Sequence, residues 1–227
     1  MKQSKTILGH THILYNHKKE DAQELIKRSN SFYKVMDQRR SVRTFSEENI
    51  PREVIENLIK TASTAPSGAH KQPWTFCVVS DSNLKKKIRD AAEAEERESY
   101  EKRMSERWKD DLVPLATDAN KPFLEEAPYL IVLCKKAFDY DDNGNKVNNY
   151  YVNESVGIAA GMLITAIHNA GLVTLTHTPS PMNFLTDLLE RPKNERAFLL
   201  LPVGYPHEPT YVPELKRKSL GEVAVFY

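Results

Sequence analysis

Three guanidiniums and a hydroxyl fall within five residues in RRSVR, Arg39 to Arg43. Arginine presents a planar fork that matches phosphate, and Ser41 can add a hydrogen bond. The same run also reads as a solvated helix end. LKRK, with Lys216, Arg217 and Lys218, repeats the composition near the C-terminus, where a surface basic run is again the plain reading. TAPSGAHKQPW, residues 64–74, sets two prolines around Ser67-Gly68-Ala69. A glycine there lets backbone approach a flat ligand, and the adjacent amides can donate to oxyanions or ring heteroatoms; a tight turn is the alternative. EAEERESYEKRMSERWKDDL, residues 93–112, is roughly two thirds charged, yet Tyr100, Met104 and Trp108 recur at four-residue steps. That pattern suits a solvated helix or a cover folded over something.

Other chemistries lack support. The chain has no GxGxxG, no P-loop, no HExxH and no GxSxG. Its seven histidines do not pair at metal-ligand spacing: His10, His12 and His17 belong to a polar terminus, and His168 reads as a core or capping residue. Lys and Arg total 32 against 31 Asp and Glu, a formal net charge of +1, so neither nucleic acid nor an anionic membrane is expected as the main partner. No apolar run approaches the roughly 20 residues of a membrane span. The opening MKQSKTILGHTHILYNHKKE makes a poor signal peptide, and the expected location is cytoplasmic. Cys77 and Cys134 sit in apolar strand-like runs and read as buried free thiols.

The elements that must position these residues follow from periodicity. Residues 20–38 carry apolar positions at helical spacing, and IPREVIENLIKTAS reads as a second helix with Pro51 at its start. WTFCVVS (74–80) and YLIVLCKK (129–136) read as strands; between them a helix opens at Asp81 or Ser82. NESVGIAAGMLITAIHNAG (153–171) is apolar almost all round and is expected to be a buried helix, with Gly157 and Gly161 admitting another backbone. LVTLTH and AFLLLPVGY are further strands around a short helix in PMNFLTDLLE, and the tail EVAVFY alternates weakly like an edge strand. Helices and strands mix without a βαβ rhythm, which gives an α+β class. The expected organisation is an extension over 1–30 and one domain over 31–227.

The order RRSVR, TAPSGAHKQPW, NAGLVTLTHTP, LLPVGYP, LKRK resembles the nitroreductase superfamily of FMN enzymes, from about residue 32 onward. Within it, EERESYEKRMSERW and NKPFLEEAP resemble the iodotyrosine deiodinase family, which has a substrate lid that ordinary nitroreductases lack. The resemblance implies a mostly antiparallel sheet flanked by helices and an intertwined homodimer with FMN at its interface. It implies FMN contacts from Arg39, Arg40, Ser41, Val42, Arg43, Pro66, Ser67, Thr176, His177, Thr178 and Arg217, with the Thr178 hydroxyl at flavin N5 as the catalytic contact. Many family members have Thr where His177 stands. Residues 93–122 would be the active-site lid. Glu96 would meet the ammonium of a halogenated tyrosine, Lys121 its carboxylate, Tyr100 its ring, and the Ala69 amide its phenolate. The implied reaction is reductive dehalogenation of mono- or dihalotyrosines to tyrosine and halide. A reductase or a flavodoxin- or ferredoxin-like protein would supply electrons. The competing readings are a general NAD(P)H-dependent nitro- or quinone reductase, and a non-catalytic binder of FMN or an aromatic amino acid.

Overall fold

The computed structural model describes residues 3–227, which divide into two compact units at Gln38/Arg39. In the first, strands β1 (Ser4–Ile7) and β2 (His10–Ile13) pair antiparallel. Leu8 and Gly9 turn between them with φ of 47° and 81°, the two positive values that a tight two-residue hairpin requires. Helix α1 (Ala22–Asp37) follows, capped by Asp21, whose carboxylate accepts the Glu24 amide at 2.9 Å. None of its residues is buried; Leu25, Ile26, Phe32 and Tyr33 are each more than half exposed.

The second unit is built on a four-stranded antiparallel sheet in the order β3-β4-β8-β7: β3 (Trp74–Val79), β4 (Tyr129–Lys136), β8 (Glu195–Gly204) and β7 (Val173–Thr174). Leu130 to Cys134 are all buried, because helices cover both faces. Leu130, Val132 and Cys134 point into a cluster with Ile88, Ala92, Phe123, Leu124 and Leu185, from α3 (Ser82–Glu98), α5 (Phe123–Glu126) and α7 (Asn183–Leu188). Ile131 faces Ile55, Leu58, Leu163 and Ile167, and Leu133 faces Val156 and Ala159, from α2 (Arg52–Ala62) and α6 (Val152–Asn169). Opposite faces for alternate residues is the period of a strand. A short hairpin, β5 (Phe138–Tyr140) and β6 (Lys146–Asn148), precedes α6.

Several expectations need correction. Helix α6 is buried on one face only: Gly157, Ile158 and Gly161 are exposed, and a Cβ at either glycine would meet nothing within 4 Å. The tail forms no strand among the described residues. Ser219 and Glu222 close a capping box over α8 (Leu220–Val223), a local hydrogen-bonded signal stronger than weak alternation. LVTLTH pairs only at Val173–Thr174 before leaving the sheet, and His177 rejoins through a bridge to Leu200.

The charged 93–112 stretch is not one helix. After α3 the chain makes a π-turn over Ser99–Arg103, with the Met104 amide donating back to Ser99 at 2.8 Å. Met104 is extended, and Ser105 caps a new helix, α4 (Glu106–Leu112), by accepting the Trp108 amide at 3.2 Å. A 3-10 turn over Val113–Leu115 then brings the chain to Lys121.

Candidate active site

Two cavities, sharing Arg43 and Leu115 in their walls, gather most of the residues singled out by sequence. The first, about 210 Å³, is lined by Arg43, Glu96, Tyr100, Lys121 and Thr176–His177–Thr178. The second, about 290 Å³, is lined by Arg39, Arg40, Ser41, Arg43, Lys216 and Arg217.

RRSVR reaches its place because it runs beside β7: Ser41 bridges Thr174 in parallel, and the Val42 amide donates to the Thr174 carbonyl at 3.3 Å. The Val42 side chain faces the core and is 5% exposed, so its contribution is to anchor the run. Its neighbours then project the other way, as strand alternation demands. Arg217 closes the ring by donating to the Arg39 carbonyl at 2.9 Å. Five cationic side chains and no carboxylate line this second cavity. Burial holds the Arg39 guanidinium below its usual range, and the charges of Arg217 and Arg40 push it the same way. A cavity lined this way suits an anion.

The first cavity has a charged upper wall. The Glu96 carboxylate lies 3.7 Å from the Lys121 ammonium. Lys121 also donates to Thr117 Oγ1 at 3.1 Å and to the Asp118 carbonyl, and its amide is held by Glu93 at 2.8 Å. Tyr100 donates from its hydroxyl to the Thr117 carbonyl at 3.2 Å. Burial raises the Glu96 carboxyl against the pull of Lys121, and burial lowers the Lys121 ammonium against the pull of Glu96 and Asp118. Tyr100 is likewise raised, by burial and then by the Glu96 charge. The rest of the lining includes apolar and hydroxylic side chains: Phe123, Leu175, Thr176, Thr178 and Ser180. His177 lies in it, ring edge against Phe123 at 5.6 Å, with its Nε2 buried and lacking a hydrogen bond. Burial, with Lys121 and Arg43 nearby, pushes its pKa down to about 3, so the imidazole is neutral.

Pro66, Ser67 and Ala69 line neither cavity. Their corner packs on the start of α6, where the Gly68 amide donates to Ser155 Oγ at 3.3 Å. A Cβ on Gly68 would fall 2.8 Å from the Tyr150 carbonyl oxygen, so this glycine makes room for protein backbone. Ala69 and His70 hold positive φ of 48° and 55°, strained for residues with a side chain. Sequence reasoning missed Thr117, Leu115 and Phe123, whose places depend on the irregular path between α4 and α5.

Residues 36–205 match the model of the nitroreductase family, and the chain belongs to that family. It is 61% identical to an iodotyrosine deiodinase of Haliscomenobacter hydrossis over 207 residues, 91% of this chain and 93% of that one. Against iodotyrosine deiodinase 1 of Homo sapiens the identity is 48%, over 94% of this chain and 74% of the relative. Among solved structures, an oxidized iodotyrosine deiodinase bound to FMN and 3-iodo-L-tyrosine superposes with a TM-score of 0.74 at 33% identity, covering 86% of this chain and 98% of that one.

Proposed function

We propose that this protein is an FMN-dependent oxidoreductase that dehalogenates halotyrosines reductively, giving tyrosine and halide. The observation that carries the reading is the meeting of Glu96, Tyr100 and Lys121 with Arg43 and Thr176–Thr178 around one cavity beside a five-cation cavity. The donor set fits FMN: planar guanidinium forks and the Ser41 hydroxyl suit a phosphate, and the residues lining the cavity include no carboxylate.

FMN, when bound, supplies the two electrons that, with one proton, replace carbon–halogen by carbon–hydrogen and release halide. The chain's own residues bind and orient. Lys121 holds the substrate carboxylate and Glu96 its ammonium, each gaining an opposite charge in addition to the one its partner supplies at 3.7 Å. Tyr100 covers the ring from the lid. Arg39, Arg40, Ser41 and Arg217 would hold the phosphate, and Arg43, in the wall of both cavities, would set a positive charge toward the flavin's electron-rich edge. Thr178, in the same wall, would donate its hydroxyl to flavin N5.

A halogen lowers the phenol pKa below tyrosine's value of about 10, so the site selects a phenolate, received by the Ala69 amide. That role, and flavin contacts from Pro66 and Ser67, call for a second copy of the chain, because these residues line neither cavity of their own chain. The exposed faces of α1 and of α6 around Gly157, Ile158 and Gly161 support such a homodimer. The electron donor we infer is a reductase or a flavodoxin- or ferredoxin-like protein. No helix among the described residues is long and apolar enough to cross a membrane, and the location we infer is the cytoplasm.

The test compares 3-iodotyrosine with 2-iodophenol, which lacks the amino-acid end, in wild type and Lys121→Met. Breaking one partner of a buried charged contact costs about 2 kcal/mol or more, so KM for 3-iodotyrosine rises about thirtyfold and that for 2-iodophenol stays within twofold. Equal effects on both compounds would refute the clamp and favour a general nitro- or quinone reductase.

A further inference from the structure

We propose that Arg103 is a positioning residue, a latch that fastens the substrate-gripping lid to the loop carrying Thr176–Thr178. The inference rests on the dehalogenase reading of the site. Arg103 lines neither cavity. Its guanidinium instead joins three groups: Nη1 donates to the Ser180 carbonyl, and Nη2 meets Glu95 at 2.7 Å and Glu98 at 3.4 Å.

The contact exists because the lid helix is interrupted. Eight residues along a straight α-helix rise about 12 Å, which would part Arg103 from Glu95. The π-turn over Ser99–Arg103 departs from that straight path, and the Arg103 guanidinium reaches the Glu95 carboxylate within hydrogen-bond distance. The same turn carries Tyr100 and, just beyond it, Met104 into the cavity wall, where Ser180 and Thr178 also stand.

A surface ion pair alone contributes little. What distinguishes Arg103 is the bond to Ser180, which spans 77 positions in sequence and ends two residues from Thr178. Within the lid itself, Tyr100 donates to the Thr117 carbonyl and Lys121 to Thr117 and Asp118, bonds that hold its two arms to each other. Arg103 therefore supplies the attachment that fixes the lid's height above the Thr176–Thr178 wall. The planar fork fixes the carboxylate and the carbonyl in one geometry, whereas lysine keeps the charge on a flexible stem without that geometry.

The test uses the FMN-loaded enzyme and the variants Arg103→Ala and Arg103→Lys. Arg103→Ala is expected to raise KM for 3-iodotyrosine about tenfold with kcat within threefold. Flavin retention and reduction of nitrobenzene, which needs no lid, should be unchanged, and Arg103→Lys should recover part of the loss. An unchanged KM overturns the proposal. So does an equal loss in nitrobenzene reduction or flavin retention, which would mark a general structural role. Chymotrypsin cleavage at Tyr100 and Trp108 is a readout that does not depend on turnover: Arg103→Ala should be cut several times faster, and equal rates would again overturn the latch. If wild type fails to dehalogenate 3-iodotyrosine, the functional reading falls, and the cleavage rates alone decide the latch.

Discussion

The Glu96 carboxylate and the Lys121 ammonium stand 3.7 Å apart with 12% and 4% of their side chains exposed, and each is held away from its charged form by burial more than its partner restores. A zwitterion set between them offers each a fresh opposite charge, so binding moves both groups back toward ionisation. In the window between the ordinary carboxyl value of 4.5 and the raised value of Glu96, the free enzyme holds a proton that binding releases. Calorimetric titration of the FMN-loaded enzyme with 3-iodotyrosine, in buffers of different ionisation enthalpy, should detect that release. Glu96→Gln should abolish it. Absence of proton release in wild type across that window would contradict the arrangement.

His177 gives a second pH effect, on stability. Its pKa is depressed from 6.5 to about 3, so the stability it contributes is present above pH 6.5 and is lost as pH falls toward 3. The shift corresponds to on the order of 5 kcal/mol across that range. Denaturant unfolding at stepped pH should show this slope in wild type and a shallower one in His177→Asn. Identical slopes would mean the imidazole is not buried neutral.

Arg217 and Val42 separate two kinds of contribution from the cationic cavity. Losing one charge-assisted hydrogen bond costs about 1.5–3 kcal/mol, so Arg217→Ala should weaken FMN retention roughly tenfold to a hundredfold with little change in the unfolding midpoint. Val42→Ala, at a side chain 5% exposed, should cost about 2 kcal/mol of stability. The fraction of flavin retained after dialysis, measured beside unfolding curves, distinguishes them.

Gly68→Ala should destabilise the fold by about 1–3 kcal/mol, since its new Cβ would lie 2.8 Å from the Tyr150 backbone oxygen and 2.9 Å from the Tyr151 ring. Thermal unfolding of the variant checks this. An unchanged midpoint would mean the 66–70 corner can shift freely.

What could be read in advance was what local physics decides. YLIVLCKK is apolar on consecutive residues because β4 is covered on both faces, and Asp81 announces α3 because its carboxylate accepts the Leu84 amide at 2.7 Å. The four-residue recurrence of Tyr100, Met104 and Trp108 misled because a period cannot register the π-turn, the extended Met104 and the Ser105 cap that split the helix. Glu96 and Tyr100 still share the cavity wall, since Glu96 stands in the last turn of α3 and Tyr100 in the π-turn that continues it. Thr117 carries no motif; it enters the site only through bonds from Tyr100 and Lys121, which are tertiary facts. Gly68 was legible as necessary but not for its reason, because the backbone it admits belongs to Tyr150, 82 positions away.

The most direct measurement is to mix the anaerobic, dithionite-reduced FMN enzyme with 3-iodotyrosine and follow flavin absorbance and iodide together. Reoxidation with one iodide released per flavin, lost in Lys121→Met, is the predicted result. Flavin that stays reduced with 3-iodotyrosine, yet is reoxidised by nitrobenzene, would contradict the assignment and leave a general nitroreductase.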